Sequence, residues 1–212
     1  MTRPLDSGHD LVGIGSEHSG EIFRALLMAA AQPGQLLTLP ATAPAGSGPA
    51  VALAALAHRD AGIAVHPSSD TQARELIEQI IDHTGARLSS LENADFAAVF
   101  PGLDEPTVRR LRVGTASDPA LGAQIFVGCR SLRSVDASSS IDVDVCLNLS
   151  GPGVDGHRLI GVTGLDPAGV ARRNVACAEF PEGFDLWLVD HDGLICGLPR
   201  STRIELVAEG AI

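Results

Sequence analysis

The stretch Phe184–Leu206, FDLWLVDHDGLICGLPRSTRIEL, sets the reading of the whole chain. Phe184, Leu186, Leu188 and Asp190 alternate with Asp185, Trp187 and Val189, which is the two-residue period of a strand. Asp190-His191-Asp192-Gly193 is turn chemistry, because glycine accepts positive φ and aspartate bonds its own backbone. Leu194, Ile195, Cys196 and Leu198 predict a second short strand, stopped by Pro199, which has no N–H to give a ladder. Two arginines flanking two hydroxyls follow, Arg200-Ser201-Thr202-Arg203, and then a last apolar-alternating run, Ile204–Val207. A buried hairpin that ends in such a turn is able to hold an anion, since guanidinium groups bind phosphate or carboxylate bidentately. The same arginines equally suit surface or interface ion pairs, and the stretch alone names no reaction.

Upstream, the polar and glycine-rich residues 1–18 predict a flexible lead-in, and residues 19–212 a single domain. Ile22, Phe23, Leu26, Leu27 and Ala30 recur at helical spacing behind a Ser19 N-cap, and Pro33-Gly34 stops that helix. Thr71–His83 is a second clear helix, and Val51–His58, Pro106–Leu111 and Pro167–Cys177 predict shorter ones. Strands are expected at Gln35–Leu39, Ile63–His66, Asp95–Phe100, Ala123–Gly128 and His157–Val162. The strongest strand signal is Ile141–Leu149, where Ile141, Val143, Val145, Leu147 and Leu149 alternate with Asp142, Asp144, Cys146 and Asn148. Helices and strands alternate first and antiparallel hairpins follow. That order predicts a mixed α/β domain on a mixed or antiparallel sheet.

Composition excludes several function classes. A formal net charge of −11 argues against duplex nucleic acid or an anionic membrane as a bulk partner. With six Phe, one Trp and no Tyr, the chain has little to build aromatic platforms for single strands. Every basic residue among the fifteen is arginine, so no Schiff base can form on this chain and no P-loop lysine exists. The four cysteines, Cys129, Cys146, Cys177 and Cys196, contain no CxxC pair and read as small buried groups in a reducing compartment. No run reaches the ~18 apolar residues of a membrane span, and MTRPLDSGHD lacks an apolar leader. The expectation is a cytoplasmic protein.

Three motifs invite chemistry and have plainer readings beside it. Gly151-Pro152-Gly153-Val154-Asp155-Gly156 matches GxGxxG, but the expected strand after it, in place of a helix, makes it a hairpin turn and not a dinucleotide site. Asp142 and Asp144 lie on one side of a strand and suit a metal or a shared proton, or simply its solvent face. Asp190-His191-Asp192 suits a general base or metal ligand, or the solvation of one tight turn. Ser201 lacks the GxSxG elbow of a hydrolase nucleophile. No metal site is expected.

Taken in order, several segments resemble the PhnH family, a subunit of bacterial carbon–phosphorus lyase. They are Phe23-Arg24-x-Leu26-Leu27 before Pro33-Gly34; Ala94-Asp95-Phe96-Ala97; Gly114-Thr115 with Pro119 and Gly122-Ala123; Phe180-Pro181-x-Gly183-x-Asp185-Leu186; and Leu198-Pro199-Arg200-Ser201-Thr202 with Glu205. The chain departs from the family pattern at His58, Ala61 and Val162, and has Ser201 where threonine is usual. The resemblance implies a three-layer-like domain similar to the large domain of PLP-dependent transferases but without PLP, and no other cofactor. It implies a homodimer that joins PhnG, PhnI and PhnJ subunits, in a complex that moves an alkylphosphonate onto ribose C1′ of ATP with release of adenine. Within the chain, Arg200, Ser201, Thr202, Arg203 and Arg24 are the candidate ligand-binding residues. A stand-alone phosphonate- or nucleotide-binding module is the competing reading.

Overall fold

The structure is a computed structural model that describes residues 16–40, 47–67, 71–135 and 143–207. Its organising strand is β9, Asp185–Val189, flanked in parallel by β5, Gln124–Gly128, and antiparallel by β10, Leu194–Leu198. The alternation expected for this stretch carries no polar face. From Leu186 onward β9 is buried on both sides, with Trp187 stacked on Phe126 at 5.2 Å between ring centroids. A strand with covered neighbours on both faces needs apolar residues at every position, and Asp185 is polar because it lies at the strand's end.

Around this strand the seven-stranded sheet runs β1-β10-β9-β5-β4-β2-β3, where β1 is Leu37–Thr38, β2 Gly62–His66, β3 Arg87–Leu88 and β4 Phe96–Val99. Only β10 runs against the common direction, so the sheet is mixed, as the element order predicts. One face packs under three helices, α1 (Ser16–Ala31), α2 (Gly48–Ala54) and α3 (Thr71–Thr84), through Ile22, Leu26, Leu53, Ile77 and Ile80. The other face packs on a second, antiparallel sheet ordered β11-β7-β8-β6, comprising β6 (Ser131–Ser134), β7 (Val145–Ser150), β8 (Arg158–Thr163) and β11 (Arg203–Val207). Two short helices, α4 (Glu105–Arg110) and α5 (Pro167–Ala176), complete that layer.

The second sheet changes the meaning of the C-terminal stretch. β10 and β11 belong to different sheets, so Pro199–Thr202 is a crossover between layers, tightened by the Thr202 N–H donating to the Pro199 carbonyl at 2.9 Å. At the opposite end of β9, the Asp190 carboxylate takes N–H groups from Asp192 (3.0 Å), Leu194 (2.8 Å) and, across the layers, Leu132 (3.1 Å). Asp190 thus closes the hairpin and ties it to β6, while His191 stays exposed. The turn is architecture.

Boundaries also shift. The first helix begins at Ser16, so Ser19 is inside it and not its cap; residues 1–15 lie outside the described residues. The strand expected from Ile141 begins at Val145, and Ile141 and Asp142 lie outside the described residues. Two edge strands, β3 and β6, escape the periodicity argument because they span two and four residues. The GxGxxG segment does join antiparallel β7 to β8. Among the described residues no helix is long and apolar enough to cross a membrane.

Candidate functional site

Three segments that carry the family resemblance meet around one guanidinium. Arg200 Nε lies 3.2 Å from Asp185 Oδ1 and Nη2 lies 2.8 Å from Oδ2, while the Arg200 backbone N–H donates to Oδ1 at 2.9 Å. Nη1 donates to the Pro119 carbonyl at 2.6 Å and to that of Pro181 at 3.4 Å. The walls of this socket have no room for side chains. A Cβ on Gly122 would sit 2.3 Å from the Gly183 carbonyl oxygen and 2.9 Å from Arg200 Nη1, and one on Gly114 3.0 Å from Nη1. Asp185 pushes the guanidinium above its ordinary pKa, through the hydrogen bond first and the charge second. Arg200 is engaged as a clamp on the crossover, with its charge already paired.

Beyond the socket, the crossover walls a cleft of ≈ 690 Å³. Arg200, Ser201, Thr202 and Arg203 form one side, Arg173, Asn174 and Cys177 of the α5 end another, and Gly151-Pro152 a third. Gly151 has φ +121, and a Cβ there would lie 3.0 Å from the Ser201 carbonyl oxygen, so two backbone turns touch at this wall. Phe180, 71 % exposed, also lines the cleft.

Arg173 is the unexpected member. It is 2 % exposed, and it donates to the Thr202 carbonyl (2.7 Å), the Pro199 carbonyl (2.6 Å) and, at longer range, the Leu198 carbonyl (3.5 Å). It therefore staples the end of β10 to the start of β11. Burial pushes its pKa down, although an arginine stays protonated throughout the physiological range. Its Nε and the Thr202 hydroxyl, both buried, have no hydrogen-bond partner among the described residues. The arginines on α4 and just after it contrast with this. Arg109, Arg110 and Arg112 pair with Glu105, Glu92 and Asp95.

Of the residues singled out from sequence, the structure brings Arg200, Ser201, Thr202 and Arg203 to the cleft. Arg24 lies exposed on α1 and is not among the lining residues. Sequence reasoning passed over Arg173, Asn174 and Cys177 because α5 reads as a polar helix. The available signal was spacing: Arg173 follows Val170 by three residues, on the face that buries Gly169 and Val170. At the departures from the family pattern, His58 is exposed and meets Phe96 edge-on at 6.1 Å between ring centroids, while Ala61 and Val162 are fully buried.

A second cleft of ≈ 530 Å³ opens at the carboxyl ends of β2 and β4, where open α/β sheets commonly take ligands. His66, Asp104, Asp144 and Asp166 line it. Each carboxylate is engaged with backbone: Asp104 caps α4 through Thr107 N–H (2.8 Å), Asp166 caps α5 through Ala168 N–H (2.9 Å), and Asp144 accepts from Gly164 N–H (2.7 Å). Among the described residues no three His, Cys, Asp or Glu side chains gather to hold a metal.

Comparison with known proteins fits this distribution of features. HtxG of Stutzerimonas stutzeri, provisionally named a C-P lyase subunit protein, is 30 % identical over 188 residues, spanning 87 % of this chain and 84 % of its own length. The family described as bacterial phosphonate metabolism protein, PhnH, matches residues 15–205, a span that takes in every segment of the Arg200 socket and the cleft. The chain belongs to the PhnH family.

Proposed function

We propose that the chain is a subunit of a carbon–phosphorus lyase core complex in phosphonate catabolism, supporting transfer of an alkylphosphonate to ribose C1′ of ATP with release of adenine. The family match across residues 15–205 carries this reading. The C-P lyase assignment in the name of the Stutzerimonas relative supports it at the level of the pathway. In this reading the chain acts in the cytoplasm as a homodimer and joins PhnG-, PhnI- and PhnJ-like subunits. Phe23, Leu27 and Met28, exposed on α1, leave apolar surface of the kind that subunit assembly covers. The mixed seven-stranded sheet under three helices supports likeness to the large domain of PLP-dependent transferases, and the absence of lysine leaves PLP no covalent anchor here.

The chain's part in this reading is supporting, as a non-catalytic or co-catalytic subunit. Neither cleft assembles a nucleophile with a base and an orienting group, the minimum for covalent catalysis among the described residues. The test is reconstitution. The chain should co-purify with the PhnG-, PhnI- and PhnJ-like subunits, and adenine release from ATP plus methylphosphonate should require the partners. Turnover by the chain alone would overturn the supporting role, and failure to co-purify would overturn the assembly. A second reading, a free-standing phosphonate- or nucleotide-binding module, is favoured by the arginine-lined cleft. It predicts ligand binding by the isolated chain and no stable complex.

A further inference from the structure

We propose that the cleft beside Arg173 is a binding site for a tetrahedral oxyanion carrying an organic substituent, in which the buried Arg173 supplies the attracting charge and Arg203 and Ser201 supply the reachable donors. The choice of phosphonate among such anions rests on the functional reading above, whereas the oxyanion class rests on the cleft itself.

Charge balance comes first. Three arginines line the cleft and no carboxylate does, in a chain whose net charge is −11. Arg200 is neutralised by Asp185 at 2.8 Å. Arg173 has no carboxylate within ion-pair distance among the described residues; its hydrogen-bond partners are carbonyl oxygens, which solvate a cation without cancelling it, and Asp185, already held by Arg200, acts on it only at longer range. A buried charge left in that condition is costly unless an opposite charge completes the site. Of the five buried side-chain polar atoms without partners among the described residues, two, Arg173 Nε and Thr202 Oγ1, belong to residues of this same lining.

Accessible donors come second. Arg203 is exposed at the start of β11, and no ion pair of its guanidinium occurs among the described residues. Ser201, partly exposed, offers a hydroxyl one residue from Thr202. Planar guanidinium and a hydroxyl together match the oxygens of a phosphate or phosphonate group. Size comes third. The cleft is within the range of small-molecule sites and larger than one bare oxyanion needs, and Phe180, Ala178 and Ile204 furnish an apolar wall for a substituent. The other cleft, lined by Asp104, Asp144 and Asp166, repels the same ligand.

Cys177 lines the cleft and is the one cysteine that is partly exposed, since Cys129, Cys146 and Cys196 are buried. It provides the readout. Alkylation of Cys177 in the full chain by iodoacetamide, followed by mass spectrometry, is measured with methylphosphonate, inorganic phosphate, ATP, neutral adenosine, or sodium chloride at matched ionic strength. Saturable protection by methylphosphonate or ATP, stronger than that given by inorganic phosphate and beyond that given by chloride, is the expected result. Protection by methylphosphonate identifies a phosphonate source, and protection by ATP alone a nucleotide phosphate. The paired substitution Arg203→Ala with Ser201→Ala, at positions that carry no described fold contact through their side chains, should weaken protection by about tenfold or more, the loss of a charge-assisted contact. Arg173→Met should abolish it, and the rim pair keeps the test decisive if that variant fails to fold. Equal protection by chloride, none by any anion at about 10 mM, weaker than millimolar affinity, or full protection in the rim pair would overturn the site. Loss of protection with co-purification intact overturns only this site; the converse overturns only the assembly.

Discussion

Arg200 and Arg173 differ in kind as well as in place: one has its charge paired in a glycine-walled socket, the other is buried against carbonyl groups. The first should answer to geometry. Arg200→Lys keeps the positive charge but cannot reach both Asp185 oxygens and the Pro119 carbonyl together, so urea unfolding should register a loss of about 2–3 kcal/mol. A loss indistinguishable from zero would mean that the socket contributes little. Asp190 makes a parallel case without a cation. It is 3 % exposed and accepts three backbone N–H groups, so Asp190→Ala leaves one buried donor, Leu132 N–H, and two part-buried ones, of Asp192 and Leu194, without this partner. At ~1–3 kcal/mol for the buried donor, with smaller losses for the two that water can reach, the total should be about 2–3 kcal/mol. Asp190→Asn, which keeps one acceptor oxygen, should lose clearly less. A larger loss for Asn than for Ala would contradict this account.

At the level of elements, α4 and α5 show how caps and close approach shape the second layer. Gly169 on α5 faces the Leu103 carbonyl oxygen so closely that an added Cβ would lie 1.7 Å away. Gly169→Ala must push the two segments apart, and thermal melting should show a loss of about 3 kcal/mol or more, as overpacking against rigid backbone does. Asp104 caps α4, and hydrogen bonds from Thr107, side chain first and backbone second, hold its carboxyl below the usual carboxylate value. The sign follows. The folded state favours the ionised form, so the stabilisation is complete above the unfolded value of about 3.9 and fades as pH falls through the lower folded one. Stability measured from pH 6 down to pH 2 should therefore decline less steeply in Asp104→Asn, whose side chain still caps but does not titrate. At neutral pH, Asp104→Ala should cost about 1 kcal/mol. An unchanged pH profile in Asp104→Asn would remove this carboxylate from the acid response.

For the molecule as a whole, two sheets share one core between them, and the crossover Pro199–Thr202 with Arg173 joins them at one end while Asp190 joins them at the other. Such double fastening predicts one cooperative unfolding transition, with calorimetric and van't Hoff enthalpies in agreement. Two separable transitions, one for each sheet, would refute it. Much of the framework was legible in the residues themselves. Helical spacing located α1 and α3, β-type apolar runs located β2, β4, β5, β9 and β10, and the strand expected after GxGxxG identified a hairpin turn because a helix is required for the alternative. The absence of lysine excluded a lysine Schiff base and a P-loop lysine from composition, and the charge of −11 argued against a bulk polyanionic partner. The partition into two sheets was not legible, because strand periodicity fixes what a strand buries and says nothing about which strand it pairs with. The roles of the arginines were hidden for a similar reason. Arg200 and Arg203 look alike in Arg200-Ser201-Thr202-Arg203, and only the arrival of Asp185, Pro119 and three glycines from distant segments makes the first a clamp. In the sequence Arg173 is only one residue of the helix expected over Pro167–Cys177, and packing against the crossover is what buries it. The sequence by itself determined the kinds of elements, the family and the stretch around which the chain is organised. Tertiary structure decided which charges are compensated and which cleft is left with a cation, because compensation depends on distances between segments and those exist only in the folded chain.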